Sequence, residues 1–273
     1  MHPHEFLDTH QIHLTPEESI LYDQGIDLMA RSIDPHHDAT HIARLLGSLN
    51  EFMRTDEFRR LAGNINLKVL FMSILWHDCW RAHKETEHCV PLFWLTAYEG
   101  IGASRHFTGA ARAAGVDPDF CKAVTYVIRK HSLFQFWPIK TLEAKILKVV
   151  DALDMYSLDR TYLLEKKYLL DRPITPATYN VGLVVIRLFA RKDPKPTHYF
   201  EWSQKLAELR PAYLSRARKE LAEYKMLCDL QHAKHIQEFE QYLAELQDRY
   251  VFNPEYVPEA VYIGKNERLN TPF

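Results

Sequence analysis

Apolar side chains recur at three- and four-residue steps along much of the chain, the spacing that gathers them on one face of an α-helix. Thr15-Pro16-Glu17-Glu18 reads as a helix start, with Thr15 as N-cap, a proline in the first turn and acidic groups at the positive end of the helix dipole. The helix it opens runs from Pro16 to about Arg31 and carries Ile20, Leu21, Ile26, Leu28 and Met29; Asp34-Pro35 ends it. The next runs from Ala39 to Arg54, with Ile42, Leu45, Leu46, Leu49, Phe52 and Met53 at helical spacing. A polar link through Gly63-Asn64 leads into Lys68–Trp76, which is apolar almost all round and therefore predicts a buried helix. That helix finishes on His77-Asp78. Further helices are predicted over Pro91–Ala114, where Gly100 and Gly102 lower helix propensity, and over Pro118–Lys130, which delivers His131. Thr141 to Ala144 start another, whose stripe of Ile146, Leu147, Val149 and Val150 leads to Asp151.

Beyond residue 160 the pattern continues as helix over Tyr162–Leu170 and Val181–Ala190, followed by a linker at Lys192–Pro196. A long polar helix is expected from His198 through Leu246, interrupted at Pro211. Its apolar residues Leu214, Leu221, Tyr224, Leu227 and Leu230 suit packing on the chain's own core or, alternatively, on a second subunit. The prolines at 254, 258 and 272 predict an extended tail, and no internal repeat is visible. The expectation is an all-α chain: a helical metal-binding domain over 1–165 and a C-terminal helical extension over 166–273.

Composition narrows the function classes. The 273 residues are 47% apolar and 26% charged, ordinary for a chain with a sizeable core. A net charge of -2 leaves no electrostatic footprint for long nucleic acid, although a few local cations suffice for one phosphate group. No apolar window is long enough to span a bilayer, and no apolar run follows the polar N-terminus as a secretory signal requires. His2, His4, His10 and His13 in that segment are expected to be solvated. Cys79, Cys89, Cys121 and Cys228 show no CxxC spacing, so a disulfide framework is not expected and a cytoplasmic setting fits. Cys79 reads as a buried packing thiol.

The chemistry centres on His77-Asp78. A buried carboxylate needs a counter-charge, and metal coordination or ion pairing is the usual resolution. His41 stands at the start of one helix and Asp151 at the end of another, so two imidazoles and two carboxylates are available. Such a mixed set suits Mn²⁺, Fe²⁺, Co²⁺, Ni²⁺ or Zn²⁺ better than Ca²⁺, with Mg²⁺ also admissible. The plainer reading is a hydrogen-bonded His77–Asp78 pair with no metal. Arg44, Arg81, Lys84, Arg129 and Arg160 could stabilise phosphate charge near the site, although a surface ion pair is the commoner role for each.

The order His41 … His77-Asp78 … Asp151 on helices resembles the HD-domain superfamily of metal-dependent phosphohydrolases. Arg44 three residues after His41, the run Ile128-Arg129-Lys130-His131, and Asp151-Ala152-Leu153-Asp154 followed by Arg160 agree with it, as does Glu99-Gly100-Ile101-Gly102-Ala103-Ser104-Arg105-His106. The resemblance covers roughly residues 20 to 160. It implies an HD-type helical bundle in which His41, His77, Asp78 and Asp151 hold one divalent ion, and His106 and His131 contribute to a weaker second site. It further implies that Asp78 and His131 are catalytic, and that Arg44, Arg81, Lys84 and Arg160 bind substrate. The expected activity is cleavage of a phosphate ester, of a nucleotide or similar small molecule, by a metal-activated water. His131 is followed by Ser132, so the tandem histidines of cyclic-dinucleotide phosphodiesterases are missing there, as is their GYP signature, and Lys84-Glu85 and Glu87-His88 do not match the Glu-Asp pair of stringent-response hydrolases. Two alternatives stay open: a di-iron oxygenase of the inositol-oxygenase type, which needs both His106 and His131 as ligands, and a non-catalytic HD module with a regulatory or assembly role. In either case the C-terminal helices could carry a homo-oligomer contact.

Overall fold

The computed structural model describes residues 1–32, 37–82, 89–132, 138–155, 176, 180 and 198–251. Among them the chain is all-α, with eleven α-helices and no strand. They are α1 (Pro3–Thr9), α2 (Pro16–Ala30), α3 (Ala39–Met53), α4 (Asp56–Leu61), α5 (Leu67–Trp76), α6 (Cys79–Ala82), α7 (Cys89–Ala114), α8 (Pro118–His131), α9 (Leu142–Met155), α10 (Lys205–His232) and α11 (Ile236–Val251). The helices expected at Tyr162–Leu170 and Val181–Ala190, the linker after them and the proline-bearing tail lie outside the described residues.

The chain divides into two compact units. The first takes the described residues within Met1–Thr86, Val90–Asp154 and Pro196–Gln204; the second takes those within Glu87–Cys89, Met155–Lys195 and Lys205–Phe273.

In the first unit, α5 is the central element. Every residue from Val69 to Trp76 is buried, which is why its sequence carries no polar face. It packs against α2, α3 and α8. Local signals set the helix starts around it. Thr15 and Glu18 form a capping box on α2, Asn66 caps α5 by accepting from Val69 N at 3.1 Å, and Asp117 caps α8 by accepting from Phe120 N at 2.8 Å. The two α7 glycines permit close approach: a Cβ at Gly102 would lie 2.2 Å from Trp80 Cδ2, and one at Gly100 would lie 3.0 Å from the Arg129 carbonyl oxygen. Their cost in helix propensity is offset by bringing α7 against α6 and the end of α8.

Three expectations need correction. The N-terminal segment is not simply solvated: it forms α1, whose Phe6 is fully buried and stacks on Phe71. His10 docks with it, its ring 4.4 Å from Phe6 and its Nε2 3.2 Å from Asn50 Oδ1, whereas His2, His4 and His13 are exposed. The polar link before α5 contains a helix, α4, capped by Thr55 accepting from Phe58 N at 3.1 Å. Finally, the helix expected over 198–246 starts only at Lys205. Residues 200 and 202 instead belong to the first unit, with Phe200 and Trp202 rings 5.0 and 4.9 Å from Phe52 and with Glu57 accepting from Glu201 N and Trp202 N.

In the second unit, α10 continues through Pro211 and packs on α11. The break comes at Lys234, in the left-handed region at φ 58°, where Lys234 N donates to Gln231 O and His235 N to Leu230 O. This is a Schellman stop with lysine at the position usually held by glycine. Among the described residues no helix is long and apolar enough to cross a membrane.

Candidate metal centre

The termini of the helices in the first unit converge on one buried cluster. Asp38, the N-cap of α3, accepts from Thr40 N at 2.9 Å and His41 N at 3.1 Å, which fixes His41 in the first turn. His77 and Asp78 occupy the break between α5 and α6; His131 is the last residue of α8; Asp151 lies late in α9. His41 Nε2 is 3.3 Å from His77 Nε2, 3.1 Å from Asp78 Oδ2 and 3.8 Å from Asp151 Oδ1. His77 Nε2 is 3.0 Å from the same Asp78 oxygen. His41, the His77-Asp78 pair and Asp151 stand far apart in the sequence, and the fold brings these four residues together.

The protonation of the imidazoles follows from their other nitrogens. His77 Nδ1 donates to Ile74 O at 2.7 Å and His131 Nδ1 to Ile128 O at 2.6 Å, and a carbonyl can only accept. His41 Nδ1 donates to Asp154 Oδ2 at 2.7 Å. In the neutral rings each Nε2 therefore carries a lone pair, and all three point inward. The Nε2 atoms of His41 and His77, held 3.3 Å apart, repel unless a proton or a metal cation lies between them. Asp78 Oδ2 and His131 Nε2 are buried without a hydrogen-bond partner among the described residues. Metal–ligand bonds of about 2.1 Å set adjacent ligands about 3.0 to 3.4 Å apart in octahedral or tetrahedral geometry. The four-residue set thus fits a divalent transition metal, with Asp151 adapting inward. Its side chain is 25% exposed, so the cluster reaches solvent along that edge.

Asp154 had no assigned role in the sequence beyond its place in the Asp-Ala-Leu-Asp motif. It is buried one turn after Asp151 and binds His41 on one side and Arg44 on the other, with Arg44 Nε at 2.6 Å and Nη2 at 3.2 Å. Arg44 is thereby engaged as the clamp on Asp154. The spacing of three residues from Asp151 was the available signal, since it puts both carboxylates on one helix face.

A second rim closes the cluster. His131 Nε2 is 3.4 Å from Asp78 Oδ1 and 3.9 Å from Glu99 Oε2; His37 Nε2 is 3.7 Å from Asp78 Oδ2 and 3.8 Å from Glu99 Oε1; Arg81 Nη1 is 3.8 Å from Glu99 Oε1. Sequence reasoning missed His37 and Glu99 as site residues. Burial would raise the Asp78 carboxyl, but the surrounding imidazoles, His77 foremost, hold it well below the usual range. Glu99 is pushed up by burial and then by the charge on Asp78. His131 is raised: burial works against its charge, but Asp78 and Glu99 outweigh it. Lys148 Nζ donates to the carbonyls of His131 and Ser132 at 2.6 and 2.7 Å, pinning the end of α8.

His106 is not brought to this centre. It lies two turns beyond Glu99 on α7, a rise of about 10 Å, where it is exposed and its ring meets Trp76 edge-on at 6.1 Å. Lys84 and Arg160 fall outside the described residues. No protein-family model, no curated protein and no solved structure matches this chain.

Proposed function

We propose that the chain is an HD-type metal-dependent phosphohydrolase that cleaves a phosphate ester of a nucleotide or similar small molecule. The observation that carries the reading is the pair of inward-facing Nε2 lone pairs on neutral His41 and His77 beside the Asp78 carboxylate, whose Oδ2 lacks a hydrogen-bond donor among the described residues. Such an arrangement is built for a cation, and it occurs on the residues that carry the family resemblance. His41, His77, Asp78 and Asp151 would hold a divalent ion, Mn²⁺, Fe²⁺, Co²⁺, Ni²⁺, Zn²⁺ or Mg²⁺. When bound, that ion supplies Lewis acidity toward a phosphoryl oxygen and acidifies water at neutral pH.

The chain's own residues do the rest. Asp154 and the Ile74 carbonyl hold His41 and His77 in the ligating tautomer. His131, whose Nε2 lies 3.4 Å from Asp78 Oδ1 and 3.9 Å from Glu99 Oε2, would carry a proton on that nitrogen, raised as it is by the two carboxylates, and would give it to the departing ester oxygen. The net reaction adds water across the ester P–O bond. Arg81, whose Nη1 lies 3.8 Å from Glu99 Oε1, would respond to phosphate charge, with Lys84 and Arg160 as further candidates. Free Cys79, Cys121 and Cys228 suit a reducing, cytoplasmic setting. The α10–α11 pair remains the candidate surface for a homo-oligomer, and the low net charge argues against a long nucleic acid partner.

The oxygenase alternative requires His106 as a ligand, and its place two turns along α7 from Glu99, against Trp76, favours the hydrolase. The test is phosphate release from a panel of nucleotides and phosphate esters, using metal-stripped protein reloaded with each ion in turn. The expected result is ion-dependent turnover that disappears in Asp78→Asn. Oxygen uptake with Fe²⁺ and no phosphate release with any ion would reverse the choice.

A further inference from the structure

Helix α8 ends on His131 without a left-handed stop. Its C-cap, Ser132, is extended at φ -47° and ψ 142°, so the last carbonyls of α8 need partners from outside the helix. Lys148, on α9, supplies them: its Nζ donates to the carbonyl oxygens of His131 at 2.6 Å and of Ser132 at 2.7 Å. We propose that Lys148 is a positioning residue for the proposed reaction, holding the His131 imidazole beside the metal set where it protonates the departing alcohol. The inference deepens the proposed hydrolase and rests on the reading of His131 as its acid.

Three observations carry it. The ring is tied to the helix end: His131 Nδ1 donates to Ile128 O, 2.6 Å away and one turn back, so the imidazole goes where that turn goes. Held there, its Nε2 lies 3.4 Å from Asp78 Oδ1. Next, Lys148 stands three residues before Asp151 on the same side of α9, and so ties the turn that carries the acid to the turn that carries a proposed metal ligand. Lastly, the ammonium is kept in place at a cost. Burial pushes Lys148 down to about 8, although Asp151 and Glu99 partly support its charge. A glycine past the helix end would stop α8 without burying any charge. On the other flank, a Cβ at Gly100 would lie 3.0 Å from the Arg129 carbonyl oxygen and 3.2 Å from Ser132 Cβ, so α7 presses on the turn that Lys148 holds.

As the water oxygen bonds to phosphorus, the ester P–O bond breaks and its electron pair stays on the alcohol oxygen, which takes the proton from His131 Nε2. The attacking water gives up one proton, and the imidazole regains one from solvent. An alkoxide is a poor leaving group and needs that proton, whereas a nitrophenolate departs readily without it. Misplacing a catalytic group by about 1 Å costs on the order of 100-fold, and here the loss falls on esters of ordinary alcohols.

Kinetics and NMR test the two halves separately. Full-length protein reloaded with Mn²⁺ is assayed on a nucleoside monophosphate and on p-nitrophenyl phosphate. Lys148→Met is expected to lose about 10- to 100-fold in kcat on the nucleotide, with KM unchanged, and far less on the nitrophenyl ester. Lys148→Arg, which keeps the charge and the donors, should recover most of the loss. Nitrogen-15 NMR of metal-stripped protein follows the ring protons: in Lys148→Met the His131 Nδ1 proton should exchange faster, while that of His77, bonded to Ile74 O, stays as in wild type. Equal losses on both esters, no loss on either, or an unaltered His131 proton would overturn the assignment. No phosphate release by wild type would overturn the hydrolase and with it the acid role of His131, and the His131 proton would still show whether Lys148 holds the ring. If Lys148→Met fails to fold, Lys148→Gln, whose shorter side chain falls short of both carbonyls, gives the same readings.

Discussion

Asp154→Asn isolates the clamp behind His41. Asp154 accepts from His41 Nδ1 at 2.7 Å and from Arg44 at 2.6 and 3.2 Å, so one carboxylate serves three donors. Asparagine keeps one oxygen and turns a donor toward one of those partners. If the oxygen stays with Arg44, the amide N–H faces His41 Nδ1, favours the opposite tautomer and puts a proton on Nε2, where the ion should bind. Loss of an outer-shell partner of this kind typically costs about 10- to 100-fold in metal affinity, or about 1.4 to 2.7 kcal/mol. Stability falls as well. Removing one partner of a buried ion pair costs about 3 to 5 kcal/mol, and because Arg44 is 18% exposed and asparagine retains one acceptor, about 2 kcal/mol is expected here. Competition with a chromophoric chelator would read the affinity, and urea unfolding the stability. Arg44→Met is the control: it leaves the acceptor on His41 and should weaken metal binding less. Metal affinity in Asp154→Asn equal to that of wild type would refute the tautomer argument.

Further outcomes follow from packing and titration. Gly102→Ala should destabilise by about 1 to 3 kcal/mol through overpacking, because its Cβ would overlap Trp80, whereas Gly109→Ala, with open space around its Cβ, should stabilise by about 1 kcal/mol; thermal melts of the pair check both signs. Lys148, pushed down to about 8 by burial against the partial support of Asp151 and Glu99, binds fewer protons in the folded than in the unfolded state from pH 8 to 10.5. Stability from this group should therefore rise through that window, by no more than about 3 kcal/mol, and Lys148→Met should flatten the rise in denaturation curves taken at each pH. Cys79 is raised far above the usual thiol range by burial and by the charge on Asp78, so native protein treated with iodoacetamide should be labelled at Cys121 before Cys79. Labelling of Cys79 at the same rate would contradict its packing.

The readable part of the site consisted of residues at helix ends that follow an apolar face. His77-Asp78 was visible because α5 has no polar face of its own, and Asp151 because a stripe leads to it. His37 and Glu99 gave no such signal. His37 precedes the N-cap of α3 and belongs to no periodic pattern, while Glu99 sits mid-helix beside Tyr98, which is 51% exposed, and is buried only because α7 lies so close to α6 and α8. His106 misled for a related reason: it shares the Glu99 side of α7, but periodicity says nothing about displacement along the axis. The same limit applied to α10, where the expected break at Pro211 did not occur and the real one used a left-handed lysine that no local rule marks.

Neutral imidazoles at His41 and His77 would present their Nε2 atoms to a divalent ion. Nitrogen-15 NMR of the histidine rings, recorded on metal-stripped protein before and after Zn²⁺, reads it most directly. The account predicts that His41 and His77 retain their Nδ1 protons throughout and that their Nε2 resonances move to the range of ligated nitrogen when zinc is added. Spectra unchanged by zinc, or a proton bound at Nε2 of both rings in its presence, would contradict it.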